Sequence, residues 1–456
     1  MKSRVISVCL LALVLSIAPV AARAAEDQAT ASPRLILVHY MPWFEADAAA
    51  ARWGWHWTMN KYDPRVVNNG RREIASKYYP AIGPYDSSDP HVIEYHLLLM
   101  KIAGIDGVII DWYGIRDLSD YGVMHRNTAL LVEQARSHGL KVAICYEDRT
   151  IPNLVKENGI AAGERVSHAV EVIDWLGKHW FPMEHYVRVG GKPLLMSFGH
   201  GGLDDKEWTK CLADAAEPVA YFSEHHKRTA AVGGYDWPIP KEGLGAIERF
   251  ERQSKDWPQR IPAAYPRFDD IYAEAGVGAN LGHVPDRGGN TFRSALETSQ
   301  KMAAPAVQLV TWNDWGEGTM IEPSREFGTR DLEAVQQYRR RHVEPGFTAT
   351  STDLELPRRL LELRRTTKGA DEKERLDRIA DLVRQGNYDA ARAELKNLAT
   401  KLGLRELREW CRERSSRYKI PRLQLSVAAL PRNAMGKCNK AAVMSLFQDG
   451  TVESGT

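Results

Sequence analysis

From residue 35 onward, short runs of β-branched and aliphatic residues alternate with longer stretches whose apolar positions recur every three or four residues. The first pattern reads as strand and the second as amphipathic helix, so their succession predicts repeated βα units. Eight strands are predicted, at 35–40, 107–111, 141–146, 193–198, 219–222, 230–235, 260–265 and 306–312, with the fifth and sixth the weakest. Eight parallel units of this kind predict a closed (β/α)8 barrel, an α/β fold. Helix punctuation agrees: Asp89 is placed to cap a helix with Pro90 at its first position, Val92, Leu97, Leu99 and Met100 give it an apolar face, and Gly104 ends it. Residues 127–139 and 294–302 repeat the arrangement before the third and eighth strands.

Beyond about residue 330 the pattern changes to helical sequence dense in charges of both signs, which reads as solvated helix. Leu376, Ile379, Ala380, Leu382 and Val383, followed by Ala390, Ala391 and Leu395, predict a helical hairpin around Gly386-Asn387, in a single copy that makes no repeat array. The expected organisation is therefore a barrel over 33–345, a small charged helical region over 346–402, and a tail over 403–456.

Before the barrel, Lys2 and Arg4 precede an almost wholly apolar run at 5–20, and Ala22-Arg23-Ala24 offers a cleavage site between small residues. This predicts a signal peptide over 1–24 and a mature chain that is periplasmic or secreted, with no stable membrane span. Net charge is only +2, from 61 basic and 59 acidic residues, so nothing global draws the chain to nucleic acid or to an anionic surface. Cys145, Cys211, Cys411 and Cys438 are widely spaced with no CxxC or Cys/His cluster, and Cys145 adjoins an apolar run as core residues do. The pair His225-His226 lacks a third ligand at a recognisable spacing, and no phosphate loop is present. No metal or cofactor is expected.

Chemistry gathers at the predicted strand exits: His39-Tyr40 and Trp43, Asp111-Trp112-Tyr113, Tyr146-Glu147-Asp148, His200, Glu224-His225, Tyr235-Asp236-Trp237, Arg267, and Asp314 with Glu317. In a parallel barrel these positions converge on one mouth. Asp314 and Glu317 stand in Trp312-Asn313-Asp314-Trp315-Gly316-Glu317, where the glycine allows a tight turn aiming both carboxyls at that mouth. Glycosidic cleavage commonly uses two such groups, one to protonate the leaving oxygen and one as base or nucleophile. Trp53, Trp55, His56 and Trp57 supply indole faces suited to stacking on sugars, or equally to packing the barrel rim. The expected substrate contacts are Tyr40, Trp43, Trp55, His56, Trp57, Trp112, Tyr113, Tyr146, Glu147, Tyr235, Trp312 and Trp315, and the expected partner is an oligo- or polysaccharide.

Several ordered motifs resemble glycoside hydrolase family 99, the endo-acting α-mannosidases and α-mannanases. They are residues 39–43, the Trp55-His56-Trp57 block, 83–90, 104–107 with 111–114, Tyr146-Glu147, and 311–323. The resemblance implies two acidic residues in the last motif. The first deprotonates the substrate's own 2-hydroxyl to give an epoxide-like intermediate, and the second acts as acid and then base. By position these are Asp314 and Glu317, with Asp314 one methylene shorter than the family's glutamate. The Asn-Asp-aromatic-Gly-Glu version is also similar to the α-1,3-glucanases of family 71, which invert configuration. An α-mannoside is the first expectation, an α-1,3-glucan the second, and a sugar-binding barrel without turnover the third. Separately, residues 404–447, including Lys437 within 430–437, resemble the C-terminal end of acyl-CoA synthetases, whose large adenylate-forming domain has no counterpart here. That segment is expected to have no activity of its own.

Overall fold

Eight strands form the wall that the hydrophobic pattern predicts: β1 (Leu35–Tyr40), β2 (Gly107–Trp112), β3 (Lys141–Tyr146), β4 (Lys192–Ser197), β5 (Ala220–Glu224), β6 (Gly233–Tyr235), β7 (Gln259–Ile261, continued by Ala263–Ala264) and β8 (Ala306–Leu309). The computed structural model describes residues 34–47 and 52–414, with two further strand pieces at Leu423–Gln424 and Glu453–Ser454. The predicted signal peptide, and most of the synthetase-like tail with Lys437, lie outside the described residues. Every neighbouring pair of barrel strands is parallel and follows chain order from β1 to β7. The ring closes across Pro262, because Gln259–Ile261 pairs with β6 while Ala263–Ala264 pairs with β8, which in turn pairs with β1. The strands are buried almost throughout, as expected of a parallel sheet enclosed by helices.

Helices α1 (Pro90–Ala103), α2 (Tyr121–Ser137) and α3 (Arg165–His179) follow the first three strands, and α4 (Asp205–Asp214) follows the fourth. Asp89 caps α1 by accepting from the His91 N–H, and Gly104 ends it at φ +80°. The fifth unit has no helix: residues 225–232 join β5 to β6 directly, held by Ser223 Oγ, which donates to the His226 carbonyl and accepts from the Arg228 N–H. The amphipathic stretch that elsewhere marks the gap between strands is therefore missing, which is why this part of the pattern is weak. Helices α5 (Gly245–Gln253), α6 (Asn290–Gln300) and α7 (Arg330–His342) complete the ring. Three more, α8 (Leu356–Thr366), α9 (Ala370–Arg384) and α10 (Tyr388–Arg414), form the C-terminal helical region, with the hairpin turning at Gly386. Among the described residues, no helix is long and apolar enough to cross a membrane.

A buried carboxylate ties the β8 loop to the rest. Glu322 accepts from the Tyr85 hydroxyl at 2.7 Å and from Trp315 Nε1 at 3.3 Å, and its other oxygen lies 3.1 Å from His96 Nε2. A carboxylate can only accept, so His96 donates through Nε2 and its Nδ1 receives the Tyr40 hydroxyl at 2.9 Å. Asn313 bonds both backbone groups of Met41 and donates to Tyr85 Oη. Residues 83–90 brace the same region: Trp57 Nε1 donates to the Tyr85 carbonyl, and Ser87 and Asp86 receive the N–H groups of Phe44 and Ala46. Truncating Glu322 leaves the Tyr85 hydroxyl and His96 Nε2 without that acceptor and Trp315 Nε1 with only its 3.3 Å bond to Tyr85 Oη, a loss that typically costs about 3–5 kcal/mol. Urea unfolding of Glu322→Ala is expected to show a destabilisation of that order, and Glu322→Gln, which keeps one acceptor, a smaller one.

Candidate active site

The strand exits enclose one cavity of about 380 Å³, a size typical of ligand pockets (~300–1,000 Å³). Asp314, Gly316 and Glu317 form one side, His39, Asp111, Tyr113 and Glu147 continue the wall, and Phe198, Trp237 and Tyr272 close it. The opposite lip carries Trp43, Trp55 and His56, with His56 stacked flat on Trp43 at 4.3 Å between ring centroids and 3.6 Å from the Asp120 carboxylate. Trp55, Val277 and Leu281 are three of the six exposed large hydrophobic residues among the described residues, and all three stand on this rim. Exposed apolar surface concentrated at a pocket mouth marks a binding surface.

The turn carrying the acidic pair is defined by its own hydrogen bonds. Thr311 Oγ1 receives the Asp314 N–H at 2.8 Å, Asp314 Oδ1 receives the Glu317 N–H at 2.9 Å, and the Asp314 carbonyl receives Gly318 N–H at 3.1 Å. Gly318 sits at φ +70°, where a Cβ would stand 2.9 Å from the Asp269 carbonyl oxygen, so the turn depends on glycine there. Loop residues after β7 hold the outside of the turn, with the N–H groups of Asp269 and Ile271 donating to the carbonyls of Glu317 and Gly316.

These environments separate the acids. Burial raises Asp314 to about 6, opposed by the backbone N–H groups of Glu317 and Gly316, which stabilise its charged form. Burial raises Glu317 well above the usual carboxylate range, and the charge of Asp314 pushes it further. Glu147 is raised by burial to about 7, with Arg149 drawing it back. Asp111 is also raised well above its ordinary value, by burial and then by Glu147 and Asp314. The arrangement can hold one carboxyl protonated beside another ionised, the pairing that acid–base chemistry requires.

Of the residues expected from sequence, Trp43, Trp55, His56, Tyr113, Glu147, Asp314 and Glu317 line this cavity. Tyr40, Trp57, Trp112, Tyr146, Tyr235, Trp312 and Trp315 do not, and all seven are fully buried elsewhere. For Tyr40, Trp112 and Tyr146 the cause is strand parity: successive side chains point to opposite faces, so these three turn outward while His39, Asp111 and Cys145 turn in. Tyr40 reaches His96, and Trp112 packs among His125, Trp175 and Trp180 behind the barrel. Tyr146 tilts against Trp112 on that side. Trp57 and Trp315 serve the Tyr85–Glu322 network, Trp312 lies beside His96, and Tyr235 donates to the Ser197 carbonyl below the pocket. Among the other strand-exit residues, Arg267 is buried against Asp331 and Asp286, and Asp148 receives Leu203 N–H and Trp208 Nε1. Tyr272 opens a one-turn helix, Tyr272–Ala275, and Val277 and Leu281 come from the irregular loop after it, a segment too short to carry a periodic signal.

A larger cavity, about 750 Å³, opens at the opposite end of the barrel beside α9. Its Lys101, Arg136 and Arg384 occupy the last turns of α1, α2 and α9, where cations offset the unpaired carbonyls of helix ends. That explains its basic lining without a ligand, and the convergent acids all lie at the other end.

The family model described as glycosyl hydrolase family 99 matches residues 34–225. The chain is a glycoside hydrolase that resembles this family over that stretch. A Danio rerio glycoprotein endo-α-1,2-mannosidase-like protein is 22% identical over 326 residues, covering 63% of this chain and 70% of that protein. The glycoprotein endo-α-1,2-mannosidase of Mus musculus is 29% identical over 320 residues, covering 62% of this chain and 66% of that protein. The chain thus spans about two thirds of these relatives' length. The family 99 endo-α-mannosidase structure from Bacteroides thetaiotaomicron superposes with a TM-score of 0.52 at 18% identity, over 67% of this chain and 97% of that one, and shares its fold.

In this glycoside hydrolase, burying Asp314 has a consequence for stability. Its folded-state value, about 6, exceeds that of an unfolded aspartate, about 4, so its contribution is fully present below about pH 4 and is lost as pH rises through about 6. Asp314→Asn keeps the oxygen that accepts from Glu317 and removes the buried charge. At pH 7 it is expected to be more stable than the parent by about 1–3 kcal/mol, with a flatter melting temperature between pH 4 and 7, measured by calorimetry.

Proposed function

We propose that the protein is an exported, endo-acting glycosidase that hydrolyses α-mannosidic linkages, with Glu317 as general acid and then base and Asp314 as base. The observation that carries this reading is the acidic turn, which brings Asp314 and Glu317 to one pocket and, with burial raising both, holds the proton on Glu317 more firmly than on Asp314. Glu317 donates its proton to the glycosidic oxygen as the C1–O bond breaks. Asp314 takes the proton of the oxygen that attacks C1, and Glu147 and the Trp43–His56 wall hold the flanking sugars. The choice of an α-mannoside rests on the names of the relatives, and export rests on residues 1–24. The endo mode is supported by the rim of Trp55, Val277 and Leu281, apolar surface that extends beyond the pocket.

A second reading, an inverting α-1,3-glucanase, is favoured by Asp314 itself. Its carboxylate stands roughly 1.5 Å farther back than a glutamate's on the same backbone. That leaves room for a water between base and sugar, as inverting pairs require. In this reading Asp314 deprotonates that water instead of the sugar's own 2-hydroxyl.

A panel of linkage-defined α-mannans and α-1,3-glucans, with the product anomer read by NMR, distinguishes the two. Retained configuration on α-mannan supports the first reading, and inverted product from α-1,3-glucan the second. Binding without product on either would leave a sugar-binding barrel. Glu317→Gln and Asp314→Asn are each expected to lower kcat about a thousandfold, within the roughly hundred- to ten-thousandfold that a positioned proton transfer contributes. Unchanged turnover in both variants would remove this assignment. The kcat/KM profile of the parent is expected to rise through about pH 6 as Asp314 ionises, and to fall at higher pH as Glu317, raised well above the usual carboxylate range, loses its proton.

A further inference from the structure

Beneath the pocket, three neighbouring strands each contribute one metal-ligating side chain. The register pairs His39 with Ile109, two residues before Asp111, and pairs Asp111 directly with Cys145. With a side-chain period of two, His39 on β1, Asp111 on β2 and Cys145 on β3 all face the barrel interior at nearly one level. One ring nitrogen, one carboxylate oxygen and the sulfur lie within 4.8 Å of one another, and all three residues are buried.

Core packing accounts for Cys145 and for the His39 ring, which meets Trp237 edge-on at 4.8 Å. It does not account for the polar atoms. Gln308 approaches the His39 ring and favours its charged form, yet neither His39 nitrogen, nor Asp111 Oδ1, has a hydrogen-bond partner of good geometry, although buried polar groups are nearly always paired. The surroundings are also short of positive charge. Asp111, Glu147, Asp314 and Glu317 share the pocket wall with Arg149 as its only lysine or arginine.

We propose that His39, Asp111 and Cys145 form a binding site for a divalent cation of the zinc type. Imidazole, carboxylate and thiolate together suit zinc, and three protein ligands leave a fourth position free, as in catalytic rather than structural zinc sites. His39 and Asp111 are themselves part of the pocket wall, so the ion enters from the pocket and the free position faces it. On binding, the Cys145 S–H bond gives way to a sulfur–metal bond and its proton leaves to solvent, joined by the proton of Asp111 where that carboxyl is neutral. No spacing signal marks this trio, because 39, 111 and 145 are adjacent only through strand pairing.

The test is a titration of the untagged, chelator-treated full chain with Co²⁺, followed by near-ultraviolet absorption. One equivalent is expected to bind with a thiolate-to-cobalt charge-transfer band and release of one or two protons. Cys145→Ser is expected to abolish the band, Asp111→Asn to weaken affinity at least about tenfold, and Cys211→Ser, at another buried cysteine, to change neither. Should Cys145→Ser not fold, judged by its melting without cobalt, Cys145→Ala and the proton count of the parent give the same answer. Absence of cobalt binding, or a band that survives loss of the Cys145 sulfur, overturns the proposal and leaves a water bridging the three groups. No glycan turnover enters the readout, so a failure here is separate from a failure of the glycosidase reading.

Discussion

A carboxylate sealed inside a barrel wall is tolerated only if every oxygen is matched, since an unpaired buried charge is far more expensive than any contact near it. Glu322 meets that condition by drawing in Tyr85, Trp315 and His96, and through His96 the hydroxyl of Tyr40. These partners belong to β1, α1, the 83–90 segment and the β8 loop. Satisfying one charge therefore locks four separated pieces of chain in a single arrangement. Asn313 adds the clamp on Met41 that orients the first loop. The acidic turn and the Trp43–His56 wall owe their facing positions to this network, and buried networks that are fully satisfied are the kind that fix geometry.

The fold was legible because a parallel barrel writes each strand as a short apolar run and each crossover as an amphipathic helix. Where the crossover shrinks to residues 225–232 the signal weakens, yet β5 and β6 remain recognisable as strands. The site was legible at the level of strand exits and much less so at the level of side chains. Tyr40, Trp112 and Tyr146 attract notice because aromatics suit sugars, but each adjoins the residue that actually turns inward. A strand buried on both faces hides its parity, since neither face is polar enough to mark it. His39 and Asp111 are the exceptions, polar residues in apolar runs, and that was the available cue to the inward face.

The large apolar rim was beyond reach for a different reason. Val277 and Leu281 lie in irregular sequence after β7, and their place on the lip follows from how that loop folds back over the acidic turn. The N–H groups of Asp269 and Ile271 make that fold-back by pairing with the turn's own carbonyls. Neither periodicity nor composition encodes a contact between two loops of this kind. Trp57 shows the converse: its neighbours Trp55 and His56 face the pocket, whereas its indole nitrogen is claimed by the Tyr85 carbonyl. Three adjacent aromatics on one short helical turn cannot all face the same way.

The short side chain of Asp314 follows from the same local physics. An aspartate can bend back to accept the N–H three residues on, a geometry that caps tight turns and helix starts. A glutamate's extra methylene would carry its carboxyl past that N–H and into the cavity. Accepting from Glu317 does two things at once for Asp314: it closes the turn and it favours the ionised form. Glu317 has no comparable donor at its buried Oε2 and faces the charge of Asp314, so it is the one left holding a proton. The difference in length thus sets the order in which the two groups titrate. In the proposed mechanism, that order suits the first acid to the part of base and the second to that of proton donor, whichever oxygen attacks the sugar.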